Sequence, residues 1–199
     1  YNRANLSFPI REVLMRRIAA LCGSLRTASY NQALLNAVIE RAPEELAVDQ
    51  VDIRGFPFFD QDLEADPPPS IAEAKAAIQA ADCVLLVSPE YDYGVPGVLK
   101  NAIDWLSRPH MDPTLVGRPM ALMGASTGYM STIRAQLHWR QSWYYFRAPV
   151  FSEAEVAVAF ARDAFNADGR LTSERYIRAL DHYLATLLDW LERDCAIRK

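Results

Sequence analysis

Apolar residues come in two rhythms along this chain. Ile18-Ala19-Ala20-Leu21-Cys22 and Cys83-Val84-Leu85-Leu86-Val87 are continuous apolar runs, the pattern of parallel strands covered on both faces. Ala33-Leu34-Leu35 with Ala37-Val38-Ile39, and Val98, Leu99, Ala102, Ile103 and Trp105, fall instead at helical spacing. The pattern predicts strands over about 14–22, 46–53, 82–88 and 118–123, with a short fifth at Ala148 to Phe151. It predicts helices over about 30–42, 70–80 and 96–107, one running to about 147, and a last one opening at Thr172-Ser173-Glu174. Strands that alternate with helices call for a parallel sheet with helices on both faces, an α/β three-layer sandwich. Residues 54–69, with Phe56-Pro57-Phe58-Phe59 and three prolines at 67–69, form a long loop, functional or a cover over a site. Residues 1–14 precede the first strand and read as an N-terminal extension to a single domain over 15–199.

The turns carry the chemistry. Gly23-Ser24-Leu25-Arg26-Thr27-Ala28-Ser29-Tyr30-Asn31 joins the first strand to the first helix. Free N–H groups and the positive end of a helix dipole favour an anion there. Neither G-x-G-x-x-G nor G-x-x-x-x-G-K-[ST] is present. Ser24, Arg26, Ser29 and Asn31 suit a terminal phosphate monoester, and the same Ser and Asn also suit a simple helix cap. Pro89-Glu90-Tyr91-Asp92-Tyr93-Gly94-Val95-Pro96-Gly97 follows the third strand and supplies a stiff, flat wall for a planar ring. In an open α/β sheet ligands sit beyond the carboxyl ends of the strands, where strand order reverses. A phosphate joined to a flat ring is FMN.

The segments 23–31 and 89–105, the latter ending Val98-Leu99-Lys100-Asn101-Ala102-Ile103-Asp104-Trp105, resemble the two signatures of the NADPH-dependent FMN reductase family. The resemblance spans roughly residues 15–195 and implies a flavodoxin-like fold with a five-stranded parallel sheet. It implies non-covalent FMN, NADPH or NADH as hydride donor, and ping-pong transfer to a quinone, azo, flavin or metal-oxyanion acceptor. Carried over, Ser24, Arg26, Ser29, Tyr30 and Asn31 hold the phosphate, and Pro89, Glu90, Tyr91, Asp92, Tyr93 and Gly94 flank the isoalloxazine. Ser126, in Gly124-Ala125-Ser126-Thr127-Gly128, approaches the pyrimidine edge. Relatives usually have Asn at position 92 and more glycine near Tyr129 and Met130. Asp92 either faces the ring as a carboxylate or braces its own loop. No side-chain acid or base is required for the hydride step. Residues of loop 54–69, Arg118 and Arg134 are candidates for the donor's 2′-phosphate.

Two other readings compete. Gly124-x-Ser126-x-Gly128 matches a hydrolase nucleophile elbow, with Asp163, Asp168 or Asp181 and then His182 completing a triad. A flavodoxin-like electron carrier would also hold FMN, though carriers present a more acidic face than a net charge of −4 supplies. That charge argues against nucleic-acid binding. No apolar run reaches membrane-span length. Three widely spaced cysteines read as reduced thiols of a cytoplasmic protein, and His110, His138 and His182 lack metal-ligand spacing. The aromatics of 139–146 exceed what one core face needs and predict a homodimer or homotetramer, while Tyr176, Tyr183 and Trp190 on the last helix suit core or interface equally.

Overall fold

The computed structural model describes residues 15–197, so the predicted extension at 1–14 lies outside it. Five strands form one parallel sheet in the order β2-β1-β3-β4-β5. They are β1 (Arg16–Cys22), β2 (Leu46–Gln50), β3 (Cys83–Val87), β4 (Met120–Ala125) and β5 (Val156–Val158). Helices α1 (Tyr30–Arg41), α2 (Pro69–Gln79), α3 (Gly97–Leu106), α4 (Ile133–Tyr145), α5 (Ala161–Ala164) and α6 (Glu174–Ile197) complete the described chain. Alternate residues of each strand face opposite cores. Ile18, Ala20, Leu85, Val87, Ala121 and Met123 pack under α1 and α6. Ala19, Leu21, Val84, Leu86 and Leu122 pack under α2, α3 and α4. The order reverses between β1 and β3, where Cys22 pairs with Val87, and the loops after these two strands leave side by side.

The predicted fifth strand at Ala148 to Phe151 is displaced. That segment makes a single parallel bridge, Met120 to Val150, and β5 proper follows at Val156–Val158. Between the two, the edge is open at Leu122. The Tyr183 hydroxyl fills the gap: it accepts from Leu122 N at 3.0 Å and donates to Leu122 O at 2.9 Å. Burial pushes the Tyr183 phenol well up, so it keeps the proton it donates. Tyr176 treats Ala159 in the same way, at 3.0 Å from N and 3.3 Å to O. Asn31 brackets Ala125, with both distances 2.9 Å. Three side chains thus stand in for missing strand partners, as buried backbone groups require.

The aromatic residues predicted at an interface mostly serve the core instead. Trp139, Trp143, Phe146 and Tyr183 are buried, and Trp190 packs on Phe151. Each indole finds an acceptor: Trp139 Nε1 donates to Ser88 Oγ at 2.9 Å, and Trp143 Nε1 to Arg118 O at 3.1 Å. The long loop is not a cover. Asn101 Nδ2 and Trp105 Nε1 both donate to Pro57 O at 2.8 Å, Phe59 N donates to Asn101 Oδ1 at 2.7 Å, and Phe59 meets Trp105 edge-on. These contacts strap the loop to α3.

Candidate functional site

The groove lies at the β1/β3 reversal. Gly23 continues β1 and donates to Val87 O at 2.9 Å. A Cβ there would stand 2.9 Å from both Pro89 Cδ and Pro96 Cγ, so only glycine lets the two loops touch. Ser29 is the N-cap of α1: its Oγ accepts from Asn31 N at 3.2 Å and Gln32 N at 3.3 Å. The cap and the anion readings therefore coexist, because the hydroxyl proton remains to be donated. The N–H groups of Leu25 to Tyr30 donate to nothing among the described residues. The exposed Arg26 guanidinium rests 5.5 Å from the Tyr30 ring centroid. Asn31 contributes less than its type suggested, since its carbonyl and one amide hydrogen are bound to Ala125. Burial pushes the Cys22 thiol up, offset only in part by Ser24 and the charge of Arg54, so Cys22 is no nucleophile.

The second loop is a tight turn. Tyr91 and Gly94 exchange backbone bonds of 3.1 and 2.8 Å, and Asp92 (φ 50°) and Tyr93 (φ 64°) take left-handed conformations between them. Asp is among the few non-glycine residues at ease there, which gives position 92 a conformational task. Of the two roles open to Asp92, the hydrogen-bonded brace does not form: its carboxylate bonds to no group of its own loop among the described residues. Glu90 is turned inward, with a side chain only 7% exposed. Its carboxylate accepts from Arg134 N at 2.8 Å, Ala135 N at 3.1 Å and Arg134 Nη1 at 3.2 Å, fixing the start of α4. Arg134 in turn lies 4.0 Å from the Tyr93 ring centroid. Ser131 (φ 52°) and Phe160 (φ 49°) add two more left-handed residues beyond β4 and β5. Four of the six left-handed non-glycine residues among those described thus lie beyond the carboxyl ends of the strands, Met111 and Arg147 being the other two.

The structure brings the predicted residues together. Ser24, Arg26, Ser29, Tyr30, Asn31, Pro89, Glu90, Tyr91 and Ser126 line one cavity of about 190 Å³. Asp92 and Tyr93 line an adjoining one of about 340 Å³ that shares Glu90 and Ser126. Gly94 closes the turn and lines neither. Thr127, Tyr129 and Arg134 join the lining. Arg54, just past β2, brings a second guanidinium to the phosphate loop, Nη1 lying 3.5 Å from Leu25 O. Its position after a strand end next to β1 was the available signal. Arg118 is misplaced for any nucleotide role: it precedes β4, at the opposite end of the sheet, and donates to Ala81 O.

No hydrolase triad forms among the described residues. Ser126 Oγ accepts from Gly128 N at 3.1 Å. His182 is exposed on α6, and Asp181 is held by Arg41 at 2.6 Å. The donor set fits FMN: open N–H groups, hydroxyls and a guanidinium for a phosphate, and exposed tyrosines for a ring.

A doubly wound sheet of this order, with hydroxyls, a guanidinium and a flat tyrosine wall at its reversal point, is that of a flavodoxin-like nucleotide-binding fold. A profile of the NADPH-dependent FMN reductases matches residues 16–163, and the chain belongs to that family. It is 38% identical over 178 residues to an NAD(P)H-dependent FMN reductase of Pseudomonas aeruginosa, covering 89% of this chain and 96% of that one. It is 37% identical over 177 residues to a 2-hydroxy-1,4-benzoquinone reductase of a Burkholderia species, covering 87% and 97%. The solved structure of FerB, a flavoenzyme NAD(P)H:(acceptor) oxidoreductase of Paracoccus denitrificans, superposes with a TM-score of 0.83 at 31% identity, over 89% and 98% of the two chains. The protein is an FMN-dependent NAD(P)H oxidoreductase. No helix among the described residues is long and apolar enough to cross a membrane.

Proposed function

We propose that the protein is a quinone reductase whose FMN lies along the groove from Ser24 to Ser126. The observation that carries this reading is the convergence of the two loops on one cavity through the Gly23 contact. Bound FMN supplies a carrier that takes a hydride from reduced nicotinamide and delivers two electrons to an acceptor. The chain's own part is binding and orientation. Ser24, Ser29, Arg26 and the N–H groups of residues 25–30 would hold the phosphate. Pro89 and Tyr91 hold one side of the ring. Tyr93, steadied by Arg134, and Tyr129 wall the adjoining cavity, where a flat donor or acceptor stacks. The relatives named for quinones support an acceptor of that class.

The test separates phosphate from ring. Arg26→Ala is expected to weaken FMN by about 1.5–3 kcal/mol while leaving riboflavin unchanged. Titration of apoprotein with each flavin measures both. Equal losses would place Arg26 away from the phosphate.

A second copy of the chain covers the outer face of α4. Ile133, Leu137, Tyr144 and Tyr145 stand exposed there, Tyr144 at 86%. Together they leave four large apolar side chains uncovered along one helix. The patch borders Arg134 and Tyr129, so the partner would also close the substrate cavity.

A further inference from the structure

On the far side of the Arg26 loop lies a second hollow, of about 420 Å³, that shares Arg26, Ser29 and Tyr30 with the phosphate cavity. We propose that it is a nucleoside subsite, so that the protein accepts FAD as well as FMN. The proposal rests on the flavin placement given above.

The hollow is built between two firm walls. One is α1, which presents Ala33 and Asn36. The other is the turn at 166–169, locked by Asn166 N to Arg170 O at 2.9 Å and Gly169 N to Asn166 O at 3.0 Å. Asn166 Oδ1 adds two more bonds, from Asp168 N at 3.1 Å and Arg170 N at 2.8 Å. Gly169 holds φ at 77°, and a Cβ there would lie 3.8 Å from Ala33 Cβ, so the two walls meet over small residues.

The rim offers matching chemistry. Asn36 and Asn166 each use the side-chain carbonyl within the chain, while their NH₂ groups bond to nothing among the described residues. Those amides suit the ring-nitrogen acceptors of a purine. The exposed Asp168 carboxylate, also without a side-chain partner there, suits ribose hydroxyls, the role an acidic residue takes at dinucleotide sites. Arg26 stands on the shared wall, where a pyrophosphate would pass from one cavity to the other. A nicotinamide dinucleotide carries the same adenylate, but FAD extends from the flavin phosphate itself, which is the group next to this hollow.

The test is calorimetric titration of apoprotein with FMN and with FAD freed of FMN, using the native chain, Asn36→Trp and Asp168→Ala. FAD is expected to bind within about tenfold of FMN. Each variant is expected to weaken FAD by about tenfold or more and to leave FMN within about twofold. FMN binding without FAD binding, or variants that shift both flavins alike, would overturn the proposal and leave the FMN site standing. Failure of both flavins to bind native protein would overturn the FMN site first. Variants that spare FAD but raise KM for NADPH would give the hollow to the hydride donor and refute the FAD assignment.

Discussion

Replacing Gly124 by Ala is expected to cost the protein about 3 kcal/mol or more and its flavin with it. The added methyl would stand 2.2 Å from Ser88 O and 2.4 Å from Thr132 Oγ1. Neither neighbour can retreat cheaply. Ser88 is wholly buried, donates from N to Met123 O at 2.9 Å, and receives the Trp139 indole on Oγ. Thr132 is also buried, at the N-cap position of α4, and its Oγ1 accepts from Gln136 Nε2 at 3.1 Å. The strain would therefore spread into the loop after β3 and the start of α4, the two elements that Glu90 ties together. For a domain of this size the melting temperature should fall by roughly 6–12 °C. Circular dichroism with and without FMN measures both effects. A melting curve within a degree or two of the native one would mean that β4 and the loop after β3 are not in this close contact.

Trp143→Glu and Tyr144→Glu should behave as opposites, although the residues are adjacent. Trp143 is fully buried under the sheet, edge-on to Phe146, with its indole nitrogen bonded to Arg118 O. Truncating a buried Trp alone costs about 3–5 kcal/mol, and a carboxylate in its place adds a desolvation penalty. The expected result is insoluble or unfolded protein rather than a clean monomer. Tyr144 points to solvent, so the same change there should move stability by no more than about 0.5 kcal/mol. If a second copy covers α4, Tyr144→Glu should separate folded subunits, read by light scattering at micromolar concentration. Native protein that is monomeric with FMN bound would refute the covered face.

The parts of the fold that the sequence makes legible are those where one physical effect dominates. Unbroken apolar runs mark β1 and β3 because both are covered on two faces. Ser29 marks a helix start because its chemistry fits a cap, whereas Pro69, assigned to the long loop, in fact opens α2. The fifth strand is misread because its pairing is split, and the side chain that fills the break, Tyr183, lies far along the chain. The site shows the same division. Its loops announce themselves by composition, whereas the tasks of Glu90 and Asn31 depend on backbone groups that only the folded chain brings near. Trp139 and Trp143 suggest an interface by number alone, since periodicity does not tell how deep a helix sinks.

Tyr176 and Tyr183 both belong to α6, the helix made after every strand of the sheet. Translation therefore delivers the phosphate loop early and the partners of Leu122 and Ala159 late. A nascent chain halted before α6 would have an edge with unpaired backbone at Leu122 and no hold on the residue after β5. Ser126 N depends on Val158 O at 2.9 Å, so the loop after β4 would be loose as well. Flavin capture is then a step that waits for α6 to emerge and dock, however early the first loop appears.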